Sequence, residues 1–434
     1  MIRAAPASDC LGKVSTARAS LYTLEQFGIK LGLEQIRALV DTLGHPDRAY
    51  PSIVIAGTNG KGSVTAMLER GLRAAGYRTG RYTSPHLVHL EERFAVDGMN
   101  VGTPMLDDVI ERVLNAAQHL PAPPSFFEAT TAAALDLFRS ERVDVALLEV
   151  GLGGRLDATN VVAPVAVAIT AVDFDHQQYL GDTLAAIATE KAAIIKTGSV
   201  AVLGPNPNVV DSIVADRCRE MGADLVRASD GVDVSAQWDA GQITLHLETP
   251  SHRYVSLRLA LRGRHQIDNA MTAIRLLEEL SARRLFNVPP DAIRLAVEDV
   301  TWPGRLEVFH AGGQEVLIDG AHNAAGARAL VDYLRETYGR LVPMIVGVMR
   351  DKDVTAVVST LASAASHIVC TAAASPRAMA PPELAATLRS CSPEVVVEVA
   401  ATPREALDRM TGQGSPIVVA GSLYLAGEVR AELS

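Results

Sequence analysis

The chain has 434 residues, a formal net charge of −10 and 48% hydrophobic residues. That length suits two or three domains, the hydrophobic share excludes wholesale disorder, and the acidic balance excludes a broad nucleic-acid surface. The four cysteines, Cys10, Cys218, Cys370 and Cys391, form no C-x-x-C pair, so neither a zinc site nor a disulfide framework is expected, and scattered thiols fit a reducing cytoplasm.

The first twenty residues carry no apolar leader core, and the longest apolar run, 161–170 (VVAPVAVAIT), is too short to span a bilayer, so no membrane partner is expected. The first clear element is 52–56 (SIVIA), a short apolar run closed by glycine, which predicts a buried strand. Val64, Met67, Leu68 and Leu72 then repeat at helical spacing, with Gly76 as the stop. Between them lies 57–63 (GTNGKGS). It departs from the usual phosphate-loop spacing: two residues separate Gly57 from Gly60, and Gly62 stands between Lys61 and Ser63. The chemistry is nevertheless present. Amides at a helix start attract an anion, Gly60 and Gly62 permit close backbone approach, Lys61 brings charge, and Ser63 offers a hydroxyl to magnesium. A plain glycine turn would not need all of these at a strand-to-helix junction.

A helix is predicted over 128–140 and a strand over 145–150, placing Glu149 at the carboxyl edge of a sheet, where open α/β sheets bind ligands. Its carboxylate suits magnesium; the alternative is a solvated strand-end acid. The glycine-rich turn that follows, within 149–160 (EVGLGGRLDATN), contains Arg155 and Asp157. After the predicted strand 165–170 comes His176, which alone reads as a structural histidine as readily as a ligand. In the helical stretch 183–196, Leu184, Ile187, Ala188, Ile194 and Ile195 form one apolar stripe, and Lys191 falls inside it. A bare ammonium there is costly. Either the side chain snorkels to the surface, or it points at the site, charged or chemically modified.

This alternation predicts a mainly parallel sheet with covering helices. The pattern then changes: 243–249 and 254–261 read as an antiparallel hairpin, followed by a helix over 267–280. After 302–305 (WPGR) a second βα series begins, with strands predicted at 315–319, 343–349, 367–372, 394–399 and 416–421. The expected domains are 1–302 and 303–434. Asp319 and His322, in 319–323 (DGAHN), end a strand of the second series, and Arg305 beside the linker can reach across a cleft to a phosphate.

Taken together, these motifs resemble the folylpolyglutamate synthase and dihydrofolate synthase family, within the Mur-type ATP-dependent amide ligases. The resemblance runs nearly end to end, through 27–34 (FGIKLGLE), GTNGKGS, 82–87 (YTSPHL), 127–135 (FEATTAAAL), EVGLGGRLDATN, His176, Lys191, 263–270 (GRHQIDNA), WPGR, DGAHN and 421–427 (GSLYLAG). It implies an α/β architecture: an N-terminal P-loop-type, mostly parallel sheet domain with a small antiparallel part, and a C-terminal Rossmann-like α/β domain that completes the ATP and glutamate site. It also implies ATP-driven amide formation through an acyl phosphate, a cytoplasmic monomer, and L-glutamate with dihydropteroate or a reduced folate as substrates.

By resemblance, Thr58, Asn59, Gly60, Lys61, Gly62 and Ser63 hold the ATP phosphates, Asn269 contacts adenine, and Arg305 and Asp319 reach the nucleotide from the second domain. Ser63 and Glu149 bind one magnesium; Glu149, His176 and a carbamylated Lys191 bind or organise a second, with a monovalent cation also implied. Lys61, Glu149, His176, Lys191 and His322 form the implied catalytic set. Ser84, Pro85, His86, Leu87, Phe127, Asp157 and Ala158 line the folate side, and His322 and Ser422 the incoming glutamate. Three departures from the family pattern stand out: Ala324 in place of proline, Ala193 in place of glycine, and the pair Ser125-Phe126 before Phe127.

Two other readings compete. A cell-wall ligase acting on a UDP-linked muropeptide would carry threonine where Gly62 stands and a whole domain before the loop, whereas 56 residues precede Gly57. A nucleotide-binding switch would explain the loop and Glu149 but not Lys191 or DGAHN.

Overall fold

The computed structural model describes residues 15–28 and 30–434. Cys10, Ile29 and the Phe27 side chain, the latter two from the 27–34 motif, lie outside the described residues. The first sheet has eight strands in the order Met99–Asn100, Phe94–Val96, Thr79–Tyr82, Val145–Glu149, Ser52–Ala56, Ala166–Ile169, Val200–Leu203, Asp224–Arg227. From Thr79–Tyr82 onward all neighbours pair in parallel, and the two short strands at the other edge are antiparallel. Ser52–Ala56 and Val145–Glu149 are buried at every position, as expected of strands covered on both faces. Alternation sorts their side chains: Val54 and Ala56 join the core under helix Phe126–Ser140, while Ile53 and Ile55 join the core under Lys61–Ala74 and His265–Ala282.

A three-stranded antiparallel sheet follows, with Gln242–Glu248 between Asp233–Asp239 and Arg253–Leu259. Ile243, Leu245 and Leu247 face its core. The last sheet has six strands, Glu307–Ala311, Gln314–Ile318, Ile417–Ala420, Val342–Val346, Ala365–Cys370 and Val396–Val399 in spatial order. Only its first pair is antiparallel. The architecture is therefore mixed α/β: a mostly parallel sheet with an antiparallel part, then a second, mixed sheet.

The carboxyl ends of Val145–Glu149, Ser52–Ala56 and Ala166–Ile169 lie side by side, as do those of Gln314–Ile318 and Ile417–Ala420. The two edges meet where Asn59 bonds Asn323 and Asp175 bonds Lys352. One predicted helix is shorter than its pattern: Leu184–Ala192 stops before Ile194 and Ile195, which continue through tighter turns onto the Lys191 and Ala192 carbonyls. Lys191 thus occupies the last helical turn. Among the described residues no helix is long and apolar enough to cross a membrane.

Candidate active site

The GTNGKGS loop is built against the neighbouring strand end. The N–H groups of Thr58 and Asn59 donate to the Ala171 carbonyl at 2.7 and 3.2 Å, and the Thr170 hydroxyl donates to the Asn59 carbonyl at 2.7 Å. Gly60 caps helix Lys61–Ala74 in a left-handed conformation, φ 89°, and any Cβ there would collide with the Asn269 side-chain oxygen. Glycine is demanded twice over at this position. Gly62 has another reason. Its Cβ would lie 2.6 Å from Trp302 Nε1, and Trp302 is in turn stacked on Arg81, whose guanidinium carbon is 4.9 Å from the ring centre. The residue that breaks the general loop spacing makes room for the tryptophan of WPGR.

Two lysines share one acceptor. Lys61 Nζ donates to the carbonyls of Gly57 and Thr58, each at 3.1 Å, and Lys191 Nζ donates to the same Gly57 oxygen at 2.8 Å. Lys191 therefore does not snorkel: it is 4% exposed and turned into the site. Burial, with the Lys61 charge nearby, pushes its ammonium down to about 7. Burial lowers Lys61 as well, against the pull of Glu149 and Asp175. Glu149 is buried, and burial raises its carboxyl despite Lys61. It accepts the Ser84 N–H at 3.3 Å. Ser63 Oγ accepts from Gln266 Nε2 at 3.3 Å, while Gln266 Oε1 accepts from Asn269 Nδ2 at 2.9 Å, so the expected hydroxyl and the expected adenine-side asparagine are joined through one glutamine.

Asp175 is the node between the sheets. Its carboxylate accepts Lys352 Nζ at 2.6 Å, Asn323 Nδ2 at 3.1 Å and the His176 N–H at 2.8 Å, with His322 Nε2 at 3.6 Å. Burial alone would raise this carboxyl, but His322, Lys352 and His176 hold it far below the usual carboxylate range. His322 Nδ1 lies 2.8 Å from the Gly320 carbonyl, to which it donates. His176 is pushed down to about 4, by burial first and by Lys352 and Lys61 against Asp175, and is neutral at pH 7. Its Nε2 lone pair faces Lys352 Nζ at 3.2 Å, and its Nδ1 is buried with no partner. Among the described residues no group of three or more His, Cys, Asp or Glu could hold an ion. A metal here would have to draw on the Ser63 hydroxyl and on a modified Lys191, and would reach His176 Nε2 only after Lys352 moved aside.

The second sheet contributes from above. Arg305 acts on both Lys61 and Glu149 through its charge. Asp319 is occupied locally, accepting the N–H groups of Leu306 at 3.0 Å and Ala321 at 2.8 Å, which shapes the turn bearing Arg305. Ser422 is buried and caps helix Leu423–Leu433, accepting the Tyr424 N–H at 3.1 Å. On the other flank, Asp157 accepts the N–H groups of Leu152 at 2.8 Å and Thr159 at 2.9 Å, Ala158 is buried beside it, and Phe127 fills the space a Gly151 Cβ would need.

Two family models match the chain: the Mur ligase middle domain over residues 55–277 and the Mur ligase glutamate ligase domain over residues 304–423. The chain is 37% identical over 437 residues to a dihydrofolate synthase/folylpolyglutamate synthase of Mycobacterium tuberculosis, covering 92% of this chain and 89% of that protein. The chain belongs to the folylpolyglutamate synthase/dihydrofolate synthase family of Mur ligases. A solved folylpolyglutamate synthase of Mycobacterium tuberculosis, complexed with ADP, superposes with a TM-score of 0.88 at 34% identity, over 96% of this chain and 99% of that one. The chain is also 34% identical to a probable bifunctional folylpolyglutamate synthase/dihydropteroate synthase of Haloferax volcanii, with 94% of this chain matched but only 49% of the relative, so it spans about half of that protein's length.

Sequence reasoning singled out the loop, Glu149, His176, Lys191, Arg305, Asp319 and His322, and the structure brings them to the facing strand ends of the two sheets. It missed Asp175, Lys352, Asn323, Gln266, Arg81 and Trp302. Asp175 stands directly before His176, and the sequence around Trp302 reads only as a linker. Lys352 sits in 349–353 (MRDKD), a charged stretch that reads as solvent-facing, although its side chain is 7% exposed.

Proposed function

We propose that this ligase uses ATP to join L-glutamate to dihydropteroate, to the γ-carboxylate of reduced folates, or to both. The observation that carries the reading is the pair of buried lysines, Lys61 and Lys191, on the Gly57 carbonyl beside a buried carboxylate, Glu149, with Arg305 acting on that carboxylate and His322 and Lys352 of the second half gathered on Asp175. Residues 1–302 would form the ATPase and folate unit and residues 303–434 the unit that completes the nucleotide and glutamate site, acting as a monomer in the cytoplasm.

Two anions must meet in this chemistry, so the cleft must neutralise charge and exclude water. A substrate carboxylate oxygen attacks the γ-phosphorus, the bond to the ADP oxygen breaks, and an acyl phosphate forms. The glutamate amine then attacks the acyl carbon, loses its proton and expels phosphate. Thr58 through Ser63 hold the phosphates, with Lys61 leaving the Gly57 and Thr58 carbonyls to reach them. Asn269 faces adenine, and Arg305 offers its charge to the transferring phosphoryl group. His322, with Nδ1 held by Gly320, and Ser422 lie on the glutamate side. Ser84, Pro85, His86, Leu87, Phe127, Asp157 and Ala158 line the folate side. Magnesium, when bound by Ser63, Glu149, His176 and a carbamate on Lys191, would supply further charge neutralisation. A Lys191 ammonium lowered to about 7 fits carbamate formation: it first loses a proton, the free amine nitrogen then bonds to the carbon of CO2 and releases a second proton, and a buried cation becomes an anion.

The deciding experiment incubates the purified protein with ATP, magnesium chloride and glutamate, offers dihydropteroate or tetrahydrofolate separately, and weighs the products. A mass gain of one glutamyl residue on either substrate is expected. ADP release indifferent to glutamate and pteroate would instead indicate a nucleotide switch and refute the ligase reading for this chain.

A further inference from the structure

The loop Thr83–His89 follows strand Thr79–Tyr82 and precedes a single helical turn, Leu90–Arg93. Two consecutive residues of that turn hold several of the loop's polar groups. The Glu92 carboxylate accepts the N–H of Leu87 at 2.6 Å, of Val88 at 3.1 Å and of His89 at 3.0 Å. Charge-assisted bonds of this kind are about twice as strong as neutral ones, and here they pin consecutive peptides. Arg93 acts from the other side. Its carbonyl accepts the Thr83 N–H at 3.1 Å, its Nε donates to His86 Nδ1 at 2.9 Å, and its guanidinium carbon lies 5.2 Å from the Phe126 ring centre. Because Nδ1 accepts, the His86 proton sits on Nε2, a donor turned away from Arg93.

The loop held in this way is wedged at both ends. Near its start, the Ser84 N–H donates to Glu149. At Leu87 it meets the second half of the chain: a Cβ on Gly427 would overlap the Leu87 carbonyl oxygen and lie 2.7 Å from the carbonyl carbon, and a Cβ on Gly304 would lie 3.1 Å from Leu87 Cδ1. Gly427 belongs to helix Leu423–Leu433, the helix capped by Ser422.

We propose that Glu92 and Arg93 are positioning residues for the ligase reaction: they hold Thr83–His89 in the one arrangement that touches Glu149 at one end and the helix at Gly427 at the other. One loop then serves both folate binding and the fit of the second sheet onto the first. The proposal rests on the ligase reading. Neither residue reaches the phosphate loop, which is fastened separately to Thr170 and Ala171.

The test uses the full chain, with ADP affinity by calorimetry, KM and kcat for dihydropteroate and tetrahydrofolate, and hydrogen exchange at the Val88 and His89 amides. A misplacement of about 1 Å can cost on the order of 10²-fold in rate. Glu92→Ala should raise the folate-side KM by about tenfold or more and lower kcat, leaving ADP affinity within about twofold. Arg93→Gln, which keeps an N–H for His86, should recover most of the KM lost in Arg93→Leu. Gly427→Ala, pressing on Leu87 from the opposite side, should give the same KM pattern and speed exchange at Val88 and His89. The Glu92→Ala/Gly427→Ala pair should fall short of the sum of its members, because both act through the one loop. The proposal is overturned if these variants lower only the melting temperature, if the two effects simply add, or if Gly427→Ala leaves exchange unchanged. A wild type that turns over neither substrate would sink the ligase reading, while the exchange measurement would still decide whether loop and helix are coupled.

Discussion

Replacing Gly62 with alanine adds one methyl group where the structure has no room for it. The Cβ would lie 2.6 Å from Trp302 Nε1 and 2.8 and 2.9 Å from Cζ2 and Cε2 of the same ring. Carbon contacts settle near 3.5–4.0 Å, so the indole must withdraw by roughly 1 Å. Overpacking of this kind costs about 1–3 kcal/mol. Withdrawal also breaks the stack on Arg81, whose Nε is buried without a hydrogen-bond partner, which places that loss toward the upper end of cation–π energies, about 2 kcal/mol. Trp302 is three residues from Arg305, so its displacement moves the arginine that acts on Lys61 and Glu149. Gly62→Ala is therefore expected to lower the melting temperature and to weaken ADP binding by about tenfold or more in calorimetric titration. Trp302→Leu, introduced into the Gly62→Ala protein, should recover part of both losses by vacating the space. ADP affinity and melting temperature unchanged in Gly62→Ala, or no recovery in the double variant, would refute the account of why glycine stands there.

Four further outcomes follow from the site. With its ammonium near 7 instead of 10.5, Lys191 has roughly 10³ times the free-amine share of an ordinary lysine at neutral pH, so 13C-bicarbonate should yield a carbamate NMR signal that is absent from Lys191→Ala and fades as pH falls below about 7; full turnover by Lys191→Ala at saturating magnesium would rule the carbamate out. Linkage gives the companion sign: between about 7 and 10.5 the unfolded chain binds a proton that unmodified folded Lys191 does not, so denaturant stability should rise with pH in that window when CO2 is excluded. Ser63→Ala should shift the magnesium titration of activity to higher concentration while sparing folate binding, and an unchanged titration would count against the hydroxyl. Asp175→Asn leaves Lys352 buried without its carboxylate and should cost about 3–5 kcal/mol in denaturant melts, partly restored by adding Lys352→Met; a single variant as stable as wild type would remove Asp175 from its place as a node.

Much of the first sheet was legible because its central strands are unbroken apolar runs, as at 52–56 and 145–149. Thr79–Tyr82 carries no clear apolar signal because Arg81 interrupts it; that buried charge is stacked on Trp302, which lies 221 positions further along, and is offset by Glu69 and Glu149. Asp233–Asp239 escaped for the opposite reason: its side chains are largely exposed, so no apolar alternation marks it. In the site, glycines and strand-end charges pointed to the loop, Glu149 and His322. Lys191 was legible as a misfit within an apolar stripe, although the pattern left its direction open. Glu92 and Lys352 had no such signal, because what makes them special is contact with distant backbone or with Asp175, and ordinary surface charges look the same in the sequence.

The Asp175 node has a consequence for anyone who would recombine this enzyme. One carboxylate from the first half of the chain satisfies Lys352, Asn323 and His322 from the second. A chimera joined at Trp302 to the second half of a relative would import a new set of partners for that single buried charge. If the donor lacked a cation at the position of Lys352, the hybrid would carry a buried carboxylate at its seam without its ion-pair partner. Exchanging the two halves would therefore have to carry this ionic match across, together with the Arg328–Asp173 pair at 3.0 Å on the same seam.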